Sequence, residues 1–144
     1  MSIKSFVLLG TALAFGYIWF AVLIFPALHR ILRNVKVYLL FIIISILLPC
    51  LSFIAYGKDI LNNEKEGDFL SFYLLIFLLL YKYFDNIILK KYNRHLYFFI
   101  KYNQVWRDHE SDESTSKDFY FQTLLILLPI ILLCGIEFTL EIFL

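Results

Sequence analysis

Charge is scarce in this chain. Only 17% of its 144 residues are Asp, Glu, Lys or Arg, against 61% hydrophobic residues, which is too apolar for an ordinary soluble domain and too short for several domains. The net charge of +1 gives no ground for nucleic-acid binding or for a globally acidic partner. Cysteine is nearly absent. Cys50 and Cys134 both fall inside apolar runs, where a disulfide would have to form within hydrocarbon, so both read as packing residues, with a redox pair as the alternative. The chain also lacks a Gly-rich phosphate loop, an HExxH or CxxC pair, a nucleophile elbow and a Ser/Lys dyad. No catalytic residue, cofactor or metal is therefore expected, and the chain does not read as an enzyme.

What the sequence has is long apolar runs. Phe6 to Phe25 holds 20 residues without a charge and ends at Pro26. A secretory signal would have an apolar core of roughly 7 to 15 residues and a small-residue cleavage site, so this run reads as a membrane helix. Val37 to Tyr56 contains 13 residues of the Val, Leu, Ile and Phe type and reads as a second span despite Pro49. Phe119 to Leu144 is long enough for another, with Pro129 inside it. The run Phe69 to Tyr81 has only 13 residues before Lys82 and Asp85 intervene. It spans if the helix continues through Tyr83 and Phe84 with Lys82 snorkelling; otherwise it is re-entrant or the protein has three spans.

Lys and Arg are retained on the cytoplasmic side of a membrane. With four spans, ten lie on one side and three on the other, which places both termini outside. The acidic segment Lys58 to Asp68 then falls outside as well.

Residues 82–106 are too apolar for a solvated loop and too charged for a span. Helical periodicity gathers Phe84, Ile87, Ile88, Phe98, Phe99, Tyr102, Val105 and Trp106 on one side, and Lys82, Asn86, Lys90, Arg94, Lys101 and Gln104 on the other, with Lys91, Tyr97 and Ile100 breaking the pattern. That pattern predicts an amphipathic helix lying in the headgroup region or extending the third span under the bundle. Lys82, Lys90, Lys91, Arg94, Lys101 and Trp106 form the candidate face for lipid or a partner. Residues 107–118 read as a polar loop.

Asp108, His109, Glu110, Asp112 and Glu113 surround one imidazole with carboxylates, but no second His or Cys stands at a ligand spacing, so a solvated acidic loop is expected. His29 and His95 sit beside arginines and read as interfacial anchors. Glu137 and Glu141 share a helix face; counted at ~1.5 Å per residue, Glu137 lies ~27 Å from Phe119, near the outer interface. They read as interfacial acids, with an intramembrane ion pathway as the alternative. Gly10 with Ala14, and Ala12 with Gly16, offer small residues four apart for close helix approach. ILLP occurs at Ile46 to Pro49 and again at Ile126 to Pro129, a match compatible with duplication or with chance in leucine-rich spans.

The stretch WRDHESDE, Trp106 to Glu113, followed shortly by the final span, resembles universal stress protein B, a small bacterial membrane protein with a similar basic segment and a C-terminal span. The likeness covers those few residues, and this chain has extra spans. In size and span number the chain also looks like the immunity proteins that protect bacteria from pore-forming toxins, a resemblance of class without a shared motif.

The sequence thus predicts an all-α integral membrane helical bundle, a single domain over 1–144. It would have four transmembrane helices at about 6–25, 37–56, 69–84 and 119–140, with a basic amphipathic cytoplasmic helix between the third and fourth. The expected location is a bacterial inner membrane, and the expected partners are membrane lipids and another membrane protein or a second copy. A non-enzymatic role through helix contacts, of the immunity, exclusion or accessory-subunit type, is the leading expectation. A small transporter or channel component, and a stress-linked protein binding anionic lipid, are the alternatives.

Overall fold

The computed structural model describes residues 2–24, 27–61, 71–99 and 113–143. Among these residues the chain is helical, with no strand. Helix α1 (Ile3–Leu23) opens on Ser2, whose hydroxyl accepts the Ser5 amide at 3.2 Å as an N-cap. A short α2 (Ala27–Arg30) and a 3₁₀ turn (Ile31–Arg33) reverse the chain into α3 (Val35–Leu61). Helices α4 (Tyr73–Tyr92) and α5 (Ser116–Phe143) complete the bundle.

Neighbours along the chain run antiparallel. Tyr17 stacks on Phe41 with ring centres 5.2 Å apart, while Gly10, two turns earlier, faces Leu48. Tyr38 donates to the Leu78 carbonyl at 3.1 Å, and Phe53, further along α3, meets Phe72. Helix α5 starts at the end where α4 finishes and returns alongside it, with Phe121 stacked on Phe84 at 4.6 Å.

Three of these helices are long and apolar enough to cross a membrane: α1, the Val35–Ala55 part of α3, and α5. Large apolar side chains such as Leu8, Leu13, Ile43, Ile54, Ile131 and Phe138 stand on their outer faces. Such a surface is compatible with a membrane protein, for which hydrocarbon is the outer solvent. Helix α4 differs. It carries Lys82, Asp85, Lys90 and Lys91, yet Tyr73, Phe77, Leu78, Tyr81, Phe84 and Ile88 are all buried, so it is the helix around which α1, α3 and α5 pack.

In lipid the hydrophobic effect gives helices little reason to associate, so close approach and interhelical hydrogen bonds must hold them. Gly10 supplies the first: a Cβ there would meet Leu48 Cδ2 at 2.6 Å, and Ala14 one turn on is buried. The second pair of small residues is not used in this way. Ala12 and Gly16 are exposed, and a Cβ at Gly16 would meet nothing within 4 Å. Both mid-helix prolines, Pro49 and Pro129, are carried without interruption of α3 and α5.

Several expectations are corrected. Residues 82–106 do not form one amphipathic helix: 82–92 complete α4, and 93–99 are non-helical, while 100–106 lie outside the described residues. The reason is a left-handed Asn93, φ 56°, whose amide closes on the Leu89 carbonyl at 2.9 Å as a C-cap, followed by tertiary bonds to the backbone beyond it. The polar loop ends sooner than residue 118, because Thr115 caps α5 from Ser116 onward. Cys50 and Cys134 are free and exposed, so neither packs in the interior.

Candidate functional site

The most elaborate chemistry lies where α1 ends, α3 begins, α4 ends and α5 begins. Beyond Asn93 the chain is extended, and alternation follows: Leu96 and Phe98 are fully buried while His95, Tyr97 and Phe99 are half-buried. An extended segment without a neighbouring strand must find partners for its amides and carbonyls. Side chains from the helices provide them and together form a clamp on residues 94–99.

Asp85 of α4, 3% exposed, accepts the Leu96 amide at 2.8 Å and faces His95 Nδ1 at 3.0 Å. Asp118 of α5, fully buried, accepts Arg94 through both terminal nitrogens, at 2.7 and 3.2 Å, and the Tyr97 amide at 3.4 Å. The same carboxylate accepts the Thr115 amide and hydroxyl at 2.8 and 2.9 Å, while the Asp118 amide donates back to Thr115 Oγ1 at 3.4 Å. This reciprocal cap places a negative group in the first turn of α5, where the helix dipole favours it. Gln122, one turn on, pairs its amide with both polar groups of Phe99, accepting at 2.8 Å and donating at 2.9 Å, and also donates to the Val22 carbonyl at 2.7 Å. From the other side Arg33 donates to the Leu96 carbonyl at 3.0 Å.

Arg94 is further fixed by stacking, its guanidinium 4.1 Å from the centre of the Tyr97 ring and 5.3 Å from that of Tyr92. The hydrogen bond to Asp118 pushes its pKa still higher, so its charge is permanent.

Under the extended segment lies His29, fully buried. Its ring stacks on Phe98 at 4.0 Å, and Nδ1 is 3.1 Å from the Tyr81 hydroxyl oxygen. Tyr81 donates its one proton to the His29 carbonyl at 3.3 Å, which makes Nδ1 the donor to the hydroxyl and leaves Nε2 as the bare nitrogen. Nε2 is buried with no hydrogen-bond partner among the described residues. Burial, reinforced by the charges of Arg33 and Arg30, holds the imidazole well below its ordinary pKa and therefore neutral at pH 7. Tyr17, donating to the Leu28 carbonyl at 2.6 Å, ties α2 to α1 beside this group.

The predicted face is divided by this arrangement. Lys82, Lys90 and Lys91 are exposed on α4, with Lys82 Nζ 5.6 Å from the centre of the Tyr38 ring. Arg94 is turned inward to Asp118 and is not part of an open basic surface. Lys101 and Trp106 lie outside the described residues, as do Asp108, His109, Glu110 and Asp112. Glu137 is half-buried and Glu141 exposed near the opposite end of α5, so neither joins the clamp. Among the described residues no three His, Cys, Asp or Glu side chains are grouped to hold a metal.

His29 was expected at an interface, but it is a core residue; His95 is the half-exposed partner of Asp85. Sequence reasoning passes over Asp85, Asp118 and Gln122. One signal was available: Thr115-x-x-Asp118 ahead of an apolar run is a capping pattern. No protein-family model, curated protein or solved structure matches the chain.

Proposed function

We propose that the chain is a four-span, non-enzymatic protein of the bacterial inner membrane, with both termini outside, that works through helix contacts with another membrane protein as an immunity, exclusion or accessory subunit. Crossing by α4 is supported by its position among the other long helices, with its apolar first half, 73–81, in hydrocarbon and Lys82 snorkelling to the headgroups. Its one acid, Asp85, is satisfied inside the protein, which lowers the cost of carrying it.

The observation that carries the role is where the buried polar side chains are spent. Asp85, Asp118, Gln122 and His29 all bond to the chain's own backbone or to its own side chains. They make a closed end on a packed bundle, and what such a bundle offers to others is its surface. The bare Ala12 and Gly16 face of α1 is where a second helix can approach closely, since the equivalent Gly10 and Ala14 face already receives Leu48.

Cysteines placed at Ala12 and at Leu13 and crosslinked in native membranes test this. The expected result is an adduct with a different membrane protein through Ala12→Cys that disappears when Gly16 is also changed to Leu. Adducts with the chain itself alone, or adducts indifferent to Gly16→Leu, would remove the basis for the reading.

A further inference from the structure

Folding sorts the charges at the clamp end. Asp85 and Asp118 are buried and bonded, whereas Lys36, Lys82, Lys90 and Lys91 are exposed. Glu113, at the approach to α5, is the one exposed acid at this end among the described residues. Asp85 in particular sits within one turn of Lys82 along the helix but points inward to His95 and the Leu96 amide, so it does not neutralise the lysine outside.

Lys82, Asn86 and Lys90 stand at i, i+4 and i+8 of α4, all exposed, which sets two ammonium groups and an amide along one stripe of ~12 Å. Lys82 is steadied over the Tyr38 ring, whose hydroxyl is anchored on the Leu78 carbonyl. Toward the middle of α4 the stripe turns apolar at Leu79, 55% exposed, and Tyr83, 62% exposed, stands within the polar zone between Lys82 and Asn86. Apolar, then basic with an aromatic ring among the polar groups, is the axial order of a surface that crosses from hydrocarbon into headgroups.

We propose that this stripe is a binding site for an anionic glycerophospholipid. The phosphodiester lies between Lys82 and Asn86, Lys90 meets the headgroup from above, and an acyl chain runs down past Tyr83 along Leu79. Charge complementarity favours that occupant over a zwitterionic lipid: the stripe offers two cations and a neutral donor, with its neighbouring acid turned away. The site is independent of any protein partner on α1.

Native mass spectrometry of the full chain, with phosphatidylglycerol or phosphatidylcholine added to detergent-solubilised protein, reads the site directly. Each lysine facing an anionic headgroup is worth roughly fivefold in affinity, so phosphatidylglycerol should be retained in preference, and Lys82→Gln with Lys90→Gln should lower its retention by about twenty-five-fold toward that of phosphatidylcholine. Lys4→Gln, at the opposite end, should change nothing. Unchanged thermal melting of the double variant checks that it folds; if it does not, Lys82→Arg with Lys90→Arg, which keep the charges, should retain the lipid. Equal retention of the two lipids, equal loss in Lys4→Gln, or displacement of the lipid by millimolar inorganic phosphate would overturn the proposal, the last by showing a free-anion site.

Discussion

Arg94 and Asp118 meet through two parallel hydrogen bonds, 2.7 and 3.2 Å, across 24 residues of chain, and the carboxylate is fully buried. Removing the arginine would leave that carboxylate without its counter-charge in a place water does not reach. Arg94→Gln should therefore lower stability by roughly 3 kcal/mol, whereas Lys90→Gln, on the exposed face of α4 just before it, should stay within about 0.5 kcal/mol. Unfolding titrations in mixed detergent micelles measure both.

His29 predicts how stability depends on pH. Its folded-state pKa is held well below 6.5 by burial and by Arg33 and Arg30, so below that pH the unfolded chain binds a proton that the folded chain refuses. Stability is then fully present above the unfolded pKa and is lost as pH falls, by about 1.4 kcal/mol per unit below roughly pH 6.5. Between pH 7.5 and 5.0 the unaltered protein should lose melting temperature that His29→Gln does not lose. Parallel profiles for the two would show that His29 is not the group responsible.

Gly10 and Gly16 should respond oppositely to enlargement. Gly10→Val forces Leu48 aside and opens the seam between α1 and α3, at a cost of about 1–3 kcal/mol. Gly16→Val meets open space and should leave the thermal stability of the isolated protein unchanged. A melting comparison of the two in detergent decides it.

Reporter fusions after Asn62, after Asp112 and at Leu144 test the four-span arrangement. The expected outcome is outside, inside and outside. An Asp112 fusion reporting outside would mean that α4 does not cross.

The three most apolar helices are legible in the sequence because an uninterrupted apolar run long enough for a bilayer has few other uses. Helix α4 is harder to read, since Lys82 and Asp85 interrupt its run; the structure resolves them to opposite sides, the lysine outside and the acid among its partners. Lys82 and Lys90 are visible in the sequence as part of one stripe for the same local reason that any helix stripe is visible, whereas Lys91 falls outside that period. The break at Asn93 was not, because periodicity reports what a segment would do alone, and residues 94–99 are set by groups on α4, α5 and the 3₁₀ turn. Contacts at such sequence distances leave no mark on local pattern.

Gln122 joins three parts of the chain with one side chain: its own helix, the backbone of Phe99 and the carbonyl of Val22, 100 residues earlier. Together with Asp118 it supplies much of what residues 94–99 need, and both belong to α5, which follows that segment in the chain. The end of the bundle therefore cannot close during synthesis of the first three long helices, and the Arg94 guanidinium, the Tyr97 amide and the backbone of Phe99 lack these partners until α5 arrives. In the assembly of this end of the bundle, α5 acts as the bolt.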